Sequence, residues 1–391
     1  MEQLRAAVIG FGNMGTAHAT CVAEGRIDGL RLTAVCDINP ARLEEAHRRF
    51  PDAACFETAE ALLDSGCAEA VIVAVPHPMH AEIAMQALRR GLHVLVEKPV
   101  DIRVSKAREL ARVAQESGRV FAIMFNQRTN PLFRRAREMV RGGELGELKR
   151  TTWIITNWYR TQHYYDSGAW RATWAGEGGG VLLNQCPHQL DLWQWICGMP
   201  EEVTAWCRTA RYHRIEVEDD AMLLTRYRNG ATGQFITTTG EYPGSNRLEI
   251  AGDLGKLVLE GGMIRWWKLR EPENIVRFQS AESMPHMELD YTEIIPDEPE
   301  TAHAGILQNF VNAILRGEAL IAPGAEGIHE LTLSNAAYLS QWQGNVPVPL
   351  PFDEALFDRL LAERAAASAY VPEHRAGDPD GQYSKRWQVN W

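Results

Sequence analysis

The stretch QLRAAVIGFGNMG, residues 3–15, decides the fold. An apolar run, Leu4 and Ala6 to Ile9, passes directly into Gly10-Phe11-Gly12-Asn13-Met14-Gly15 and then into a helix-compatible segment. Glycines at these spacings permit a tight turn, a close approach of backbone to a pyrophosphate, and close packing of helix on strand. The helix that follows offers free N–H groups and the positive end of its dipole to the phosphates. One such turn is a common feature. It gains weight from a second strand signal, Leu32–Cys36, that ends in Asp37, 22 residues past Gly15, where a ribose-binding carboxylate belongs. The residues alone still allow a structural turn with a surface aspartate.

Outward from this turn, strand and helix signals alternate. Pro40–Phe50 has helical spacing, and Ala70–Val75 (AVIVAV) is a continuous run suited to a strand buried on both faces. Pro76-His77-Pro78 breaks it, and His80–Arg90 returns to helix with a Gly91 stop. Leu92–Val96, Val104–Ser117 and Val120–Phe125 continue as strand, helix and strand. Repeated βα units predict a doubly wound parallel sheet, an α/β domain over residues 1–126.

Beyond it, residues 127–350 read as an α+β domain with an open-faced, mostly antiparallel sheet and a helix layer. Pro131–Arg141 is an amphipathic helix, Lys149–Tyr159 a long strand, and Pro187–Cys197 a helix closed by Gly198. Ala221–Tyr227 and Ala231–Thr239 flank Asn229-Gly230, a strong hairpin turn. Arg247–Ala251, Lys256–Glu260 and Met263–Leu269 extend the sheet, and helices at Thr301–Arg316 and Ala325–Gln341 pack back on it or on the first domain. Residues 351–391 form a tail with one helical piece, Asp353–Ala369, ending in Trp387 and Trp391. A sheet with one open apolar face predicts a homo-oligomer, a dimer or a tetramer.

A net charge of -11 argues against nucleic acid and anionic membranes as partners. The start enters a core strand at once, no apolar run reaches membrane-spanning length, and seven cysteines without a CxxC pair read as buried thiols. The expectation is a cytoplasmic protein without a disulfide frame.

Two clusters carry chemistry. Glu97-Lys98-Pro99 follows a parallel strand, on the edge where doubly wound sheets bind ligands, so Lys98 can meet a substrate hydroxyl. Position alone equally allows a surface lysine paired with Glu97. The second cluster is GGGVLLNQCPHQLD, residues 178–191. Pro187 suits a first helical turn, so His188 sits near a helix start beside a glycine-rich approach, with Asp191 on the same face to orient it. His188 is therefore a general acid/base candidate, or a histidine that only caps structure. Trp170-Arg171 offers a planar cation with an aromatic neighbour for a phosphate or a sugar face. His77 and His80 lie three apart, yet Pro78 between them favours cofactor-site packing over a metal, and no metal site is expected.

Taken in order, GFGNMG, VAVPHPMH, VEKP and GGGVLLNQCPHQLD resemble the Gfo/Idh/MocA family, named for glucose–fructose oxidoreductase, inositol dehydrogenase and a rhizopine catabolism protein. The resemblance runs from residue 3 to about residue 350. It implies a Rossmann domain with an open-faced sheet domain, a nicotinamide cofactor and a sugar, polyol or related substrate. Lys98 and His188 match the family's catalytic pair. Glu97 and Pro99 match the loop under the nicotinamide, often with a cis bond before the proline. By the same resemblance the cofactor set is Gly10, Gly12, Asn13, Met14, Gly15, Asp37, Arg42, Val75, Pro76, His77, His80, Asn126, Trp170 and Arg171. Gln127, Arg128, Tyr159, Arg160 and Asn184 are expected to face the substrate. Many members carry aspartate where this chain has Asn184, which cannot accept a proton.

NAD is expected over NADP, because Asp37 would accept from a free 2′-hydroxyl and repel a 2′-phosphate, although Arg42 lies close by. The leading expectation is oxidation of a secondary alcohol on a sugar, glycoside or cyclitol, with His188 taking the hydroxyl proton, helped by Lys98. An alternative is an NAD-dependent glycosidase that works by transient oxidation, elimination, water addition and re-reduction. The segment Asn157-Trp158-Tyr159-Arg160 could then grip an anionic sugar such as a sulfoquinovoside. A third is an NAD-binding regulator without turnover.

Overall fold

A computed structural model describes residues 3–168 and 170–371. Trp387 and Trp391 lie outside the described residues. The first domain alternates β1 (Leu4–Ile9), α1 (Asn13–Ala23), β2 (Leu30–Cys36), α2 (Pro40–Arg49), β3 (Ala54–Phe56), α3 (Ala59–Asp64), β4 (Ala70–Val73), α4 (His80–Arg89), β5 (His93–Val96), α5 (Val104–Ser117) and β6 (Phe121–Ile123). Its six strands run parallel in the order β3-β2-β1-β4-β5-β6. The order reverses between β1 and β4, and that switch point is where an open α/β sheet binds its ligand. β1, β4 and β5 are buried almost throughout, because helices cover both faces, which is why they read as unbroken apolar runs. Strand β6 is shorter than Val120–Phe125 suggested.

The second domain contains α6 (Pro131–Arg141), β7 (Leu148–Ile155), α7 (Gln162–Asp166), α8 (Val181–Asn184), α9 (Pro187–Cys197), β8 (Glu202–Thr209), β9 (Glu218–Arg226), β10 (Thr232–Thr238), β11 (Asn246–Gly252), β12 (Gly255–Glu260), β13 (Met263–Leu269), α10 (Glu273–Gln279), β14 (Leu289–Ile294), α11 (Ala302–Arg316), α12 (Gly327–Trp342), β15 (Val348–Pro349) and α13 (Glu354–Ala366). Nine strands form one sheet, in the order β14-β13-β12-β11-β7-β10-β9-β8-β15. Every neighbouring pair is antiparallel except β7 with β10, which run parallel. The sheet is mixed because β7 enters its centre from far away in the chain.

Asn130 caps α6 by accepting the Leu132 N–H, with Pro131 in the first turn. Pro187 opens α9 and Gly198 closes it. The buried face of α9 packs Trp193 against Phe235 of β10, and the Trp193 indole N–H donates to Thr151 at 2.9 Å. The chain returns to the first domain after α11, where the Ile123 N–H donates to the Ala322 carbonyl, and Ala122 bridges Pro323. The two domains thus share one seam, and the C-terminal ends of β4, β5 and β6 face it. Among the described residues the cysteines are all free thiols, and no helix is long and apolar enough to cross a membrane.

Candidate active site

The glycine turn divides into packed and open positions. Gly10 has φ +94°, and a Cβ there would stand 2.4 Å from the Ala74 carbonyl oxygen; at Gly15 it would stand 1.7 Å from that of Gly10. At Gly12 the nearest protein atom to a Cβ would be the Arg42 guanidinium at 3.8 Å, so the space over Gly12 is open. α1 begins there at Asn13-Met14 with no side-chain cap and no acid in its first turn, leaving N–H groups and dipole for an anion. Asp37, just past β2, is buried. Its Oδ2 accepts the Phe11 N–H at 2.7 Å, and its Oδ1 accepts the Asn39 N–H at 2.8 Å. Arg42 Nη1 stands 3.5 Å from the same carboxylate. An open cradle over Gly12, flanked by a carboxylate, fits a dinucleotide, whose pyrophosphate the helix start would hold and whose ribose hydroxyls Asp37 would meet.

The ends of β4 and β5 form the next wall. The His80 ring lies between two backbone carbonyls, with Nε2 2.7 Å from that of Val75 and Nδ1 2.6 Å from that of Pro99, linking the Val75-Pro76 turn to the loop after β5. The Lys98–Pro99 bond is cis. His77 sits between the His80 ring and the edge of Trp170, with ring centroids 5.9 and 5.2 Å away. Neither imidazole belongs to a metal set, since no group of three or more His, Cys, Asp or Glu residues among those described is arranged to hold an ion.

Lys98 reaches across the seam. Its Nζ donates to the backbone carbonyl of Asn184 at 2.8 Å, while its N–H is held by Glu97 Oε2. Glu97 is buried and bonds His18 Nε2 through Oε1 at 2.7 Å. Burial would raise its pKa, but the His18 bond and charge, with His303 and Lys98 adding to them, hold it at about 2. Glu97 is therefore a fixed anion committed to His18, so the surface Glu97–Lys98 pair that position alone allowed is not what forms.

His188, on the first turn of α9, has its ring edge-on to Phe125, and its Nδ1 is buried without a hydrogen-bond partner among the described residues. Burial lowers its pKa well below the ordinary value; the Lys98 ammonium, and His303 when protonated, lower it further, against an opposing pull from Glu97. The imidazole is neutral at neutral pH, with one ring nitrogen an acceptor. His303, on α11, is lowered to about 4, chiefly by burial. It meets Asn126 Nδ2 at 3.3 Å, and its ring lies 6.0 Å from that of His18, tilted by 53°.

Three expectations need correction. Arg128 does not face a substrate: it is buried, with Nε and Nη2 on Asp191 at 2.8 and 2.6 Å and Nη1 on Glu326. Asp191 consequently does not orient His188; its oxygens are taken by Arg128 and by Gln194. Nor is the triple glycine an open approach, since a Cβ on Gly179 would stand 2.2 Å from the Tyr338 hydroxyl and one on Gly180 1.9 Å from the Glu218 carbonyl. The glycines let α8 dock, and the buried Glu218 carboxyl holds it by accepting the Gly180 and Leu182 N–H groups.

Other candidates are placed more narrowly. Gln127 accepts from Gln189 at 2.8 Å. Arg160 Nη1 donates to the Trp158 and Tyr159 carbonyls, and Tyr159 is half-exposed against Tyr242, so this segment is bound largely to itself. Arg171 stacks on Tyr164 and Trp170 and donates to the Tyr164 hydroxyl at 2.7 Å. Three residues of the site went unpredicted: His18, Glu177 and His303. His18 had a signal, a polar residue on the buried stripe Gly15, His18, Ala19, Val22 of α1. Glu177 and His303 had none, for only tertiary contact brings them in.

Residues 4–125 match the oxidoreductase family with an NAD-binding Rossmann fold, and residues 133–258 match the GFO/IDH/MocA C-terminal domain. Inositol 2-dehydrogenase of Corynebacterium glutamicum (strain R) is 22% identical over 90% of this chain and 97% of its own. The scyllo-inositol 2-dehydrogenase (NAD(+)) of Bacillus subtilis (strain 168) is 23% identical over 90% and 98%. Among solved structures, the WlbA dehydrogenase from Bordetella pertussis in complex with NADH and UDP-GlcNAcA superposes with a TM-score of 0.76 at 28% identity, covering 90% of this chain and 99% of that one. The Rossmann order of the first sheet, the open cradle over Gly12 and the two matched domains agree: the chain belongs to the Gfo/Idh/MocA family of oxidoreductases, with NAD as the cofactor of its first domain.

Proposed function

We propose that this protein is an NAD-dependent dehydrogenase that oxidises a secondary alcohol on a sugar or cyclitol, with His188 and Lys98 as its catalytic residues. The observation that carries this reading is the meeting of Lys98 with the α8–α9 segment across the domain seam: Lys98 Nζ bonds Asn184 at the end of α8, just before the helix that carries His188, and after burial its charge is the strongest influence on that imidazole. NAD, when bound, supplies the hydride acceptor. Gly12, the start of α1 and Asp37 hold it. Lys98 donates to the reacting hydroxyl and favours its ionisation, while the neutral His188 accepts the proton through Nε2. Glu97, fixed by His18, holds the backbone of Lys98. The relatives' inositol and sugar-nucleotide names support the substrate class.

The test is a panel of inositols, free sugars, sugar acids and aryl glycosides with NAD, read by absorbance of the reduced cofactor and by released aglycone. Reduced cofactor accumulating with a polyol or sugar is the expected result. Aglycone release without net reduction would replace this reading with the glycosidase, and tight NAD binding with no turnover of any compound would replace it with a regulator.

Two copies associate through the open sheet face in the same proposal. Trp206, Met222, Ile236 and Ile154 are register neighbours across β8, β9, β10 and β7, forming a partly exposed apolar row that ends in the exposed Trp206. Replacing Ile236 by Asp should convert the dimer or tetramer to monomer in light scattering; a wild-type monomer would refute it.

A further inference from the structure

Position 184 carries an amide, and behind it lies a carboxylate that the proposed chemistry does not use. Glu177 is 1% exposed. Its Oε2 accepts the backbone N–H of Ala172 at 2.7 Å, and its Oε1 accepts the side-chain N–H of Asn184. Arg171 stands 4.0 Å from Oε1. The backbone carbonyl of Glu177 meets His77 on the cofactor side, and the backbone carbonyl of Asn184 meets Lys98. Glu177 thus touches both halves of the site without facing the space between them.

Burial raises the Glu177 pKa, and Arg171, the bonds from Asn184 and Ala172, and Lys98 oppose that rise. With both of its oxygens accepting N–H groups, the carboxylate dictates which end of the Asn184 amide it meets. The Nδ2 end must face Glu177, and Oδ1 is turned the other way. That oxygen has no partner among the described residues and is not among the buried polar atoms that lack one, so it is an accessible acceptor. We propose that Glu177 is a positioning residue: it locks the Asn184 amide with its carbonyl oxygen toward the substrate, so that the site selects a substrate presenting a hydroxyl donor beside the carbon that reacts. The substrate half of this inference rests on the dehydrogenase reading; the Glu177–Asn184 lock does not.

The two groups can be exchanged as a test. In Glu177→Gln the Ala172 N–H cannot turn, so it claims the single Gln oxygen. The Gln amino group then meets Asn184, whose amide turns over and offers the substrate a donor. In Asn184→Asp two carboxylates meet. In the double variant the Gln amino group donates to the carboxylate introduced at position 184, whose second oxygen again faces outward as an acceptor. With myo-inositol, or whichever panel compound the parent oxidises fastest, each single variant should lose ~30-fold in kcat/KM, and the double should recover to within ~5-fold of the parent. NADH affinity, read by fluorescence, should stay within about 2-fold throughout. Losses that multiply in the double variant, as for two independent structural defects, would overturn the proposal. A second arm needs no substrate. The thermal midpoint of Asn184→Asp should fall relative to the parent from about pH 5 to about pH 8, because the shared proton is retained in the fold and released on unfolding, and the double variant should not show this. A single variant whose pH dependence parallels the parent would refute the lock itself, whatever the panel shows.

Discussion

The Lys98 ammonium and the Asn184 carbonyl, 2.8 Å apart, join the loop after β5 of one domain to α8 of the other. This one bond brings a cation from the Rossmann sheet to the helix pair that carries His188. Replacing Lys98 by Met should lower kcat/KM by ~1,000-fold while NADH affinity changes little, since the cradle over Gly12 lies elsewhere. Because Lys98 depresses the His188 pKa, the remaining activity should need a higher pH: the acid limb of the kcat/KM profile moves upward. Full turnover in this variant would refute the assignment.

Asp37 holds the Phe11 and Asn39 N–H groups and stands beside Arg42. In Asp37→Ser the negative charge that repels a 2′-phosphate is gone, and the half-exposed Arg42 guanidinium is released. The ratio of kcat/KM for NAD over NADP should fall by ~10-fold or more. Comparing both cofactors on the same substrate measures it.

Arg128 and Asp191, both buried, act on stability. Asp191→Ala leaves a buried guanidinium short of its bidentate partner and should cost about 3–5 kcal/mol in denaturant unfolding. Arg128→Met combined with Asp191→Leu should regain most of that loss, because well-packed apolar groups replace such pairs at little cost. A substrate-contacting Arg128 would instead give a raised KM in a protein of normal stability.

Glu330 on α12 is fully buried, and neither carboxyl oxygen has a partner among the described residues. Burial raises its pKa well above the usual range; Asp191 adds to this and Lys98 opposes it. The folded chain keeps the proton that the unfolded chain releases above about pH 4.5, so this residue subtracts more stability as pH rises, by at most about 1.4 kcal/mol per pH unit. Glu330→Leu should therefore exceed the parent in stability, by a margin that widens from about pH 5 to about pH 8. Urea midpoints at the two pH values check the sign.

Much was legible before any contact was known. The Gly10-Gly12-Gly15 turn and the apolar runs gave away a parallel sheet, because strands covered on both faces have nowhere to place polar groups. The caps marked α6 and α9, with Pro131 and Pro187 at the starts and Gly142 and Gly198 just past the ends. The parallel pairing of β7 with β10 escaped, since no local pattern records which distant strand lies alongside. Arg128 was misread for a similar reason: a guanidinium near a site has the same sequence signature whether it meets a ligand or a buried aspartate.

Sequence by itself determined what local chemistry can dictate: the glycine turn between β1 and α1, the helix limits, and the residue types of the lysine and histidine that the proposed chemistry uses. Tertiary structure alone decided which groups meet. Glu97 became a fixed anion because α1 brought His18 to it. Asp191 was drawn from His188 to Arg128, and Asn184 acquired a carboxylate behind its amide from seven residues back. The physical reason is that hydrogen bonds and charge interactions act over a few ångströms, and only folding makes distances so short between residues far apart in the chain.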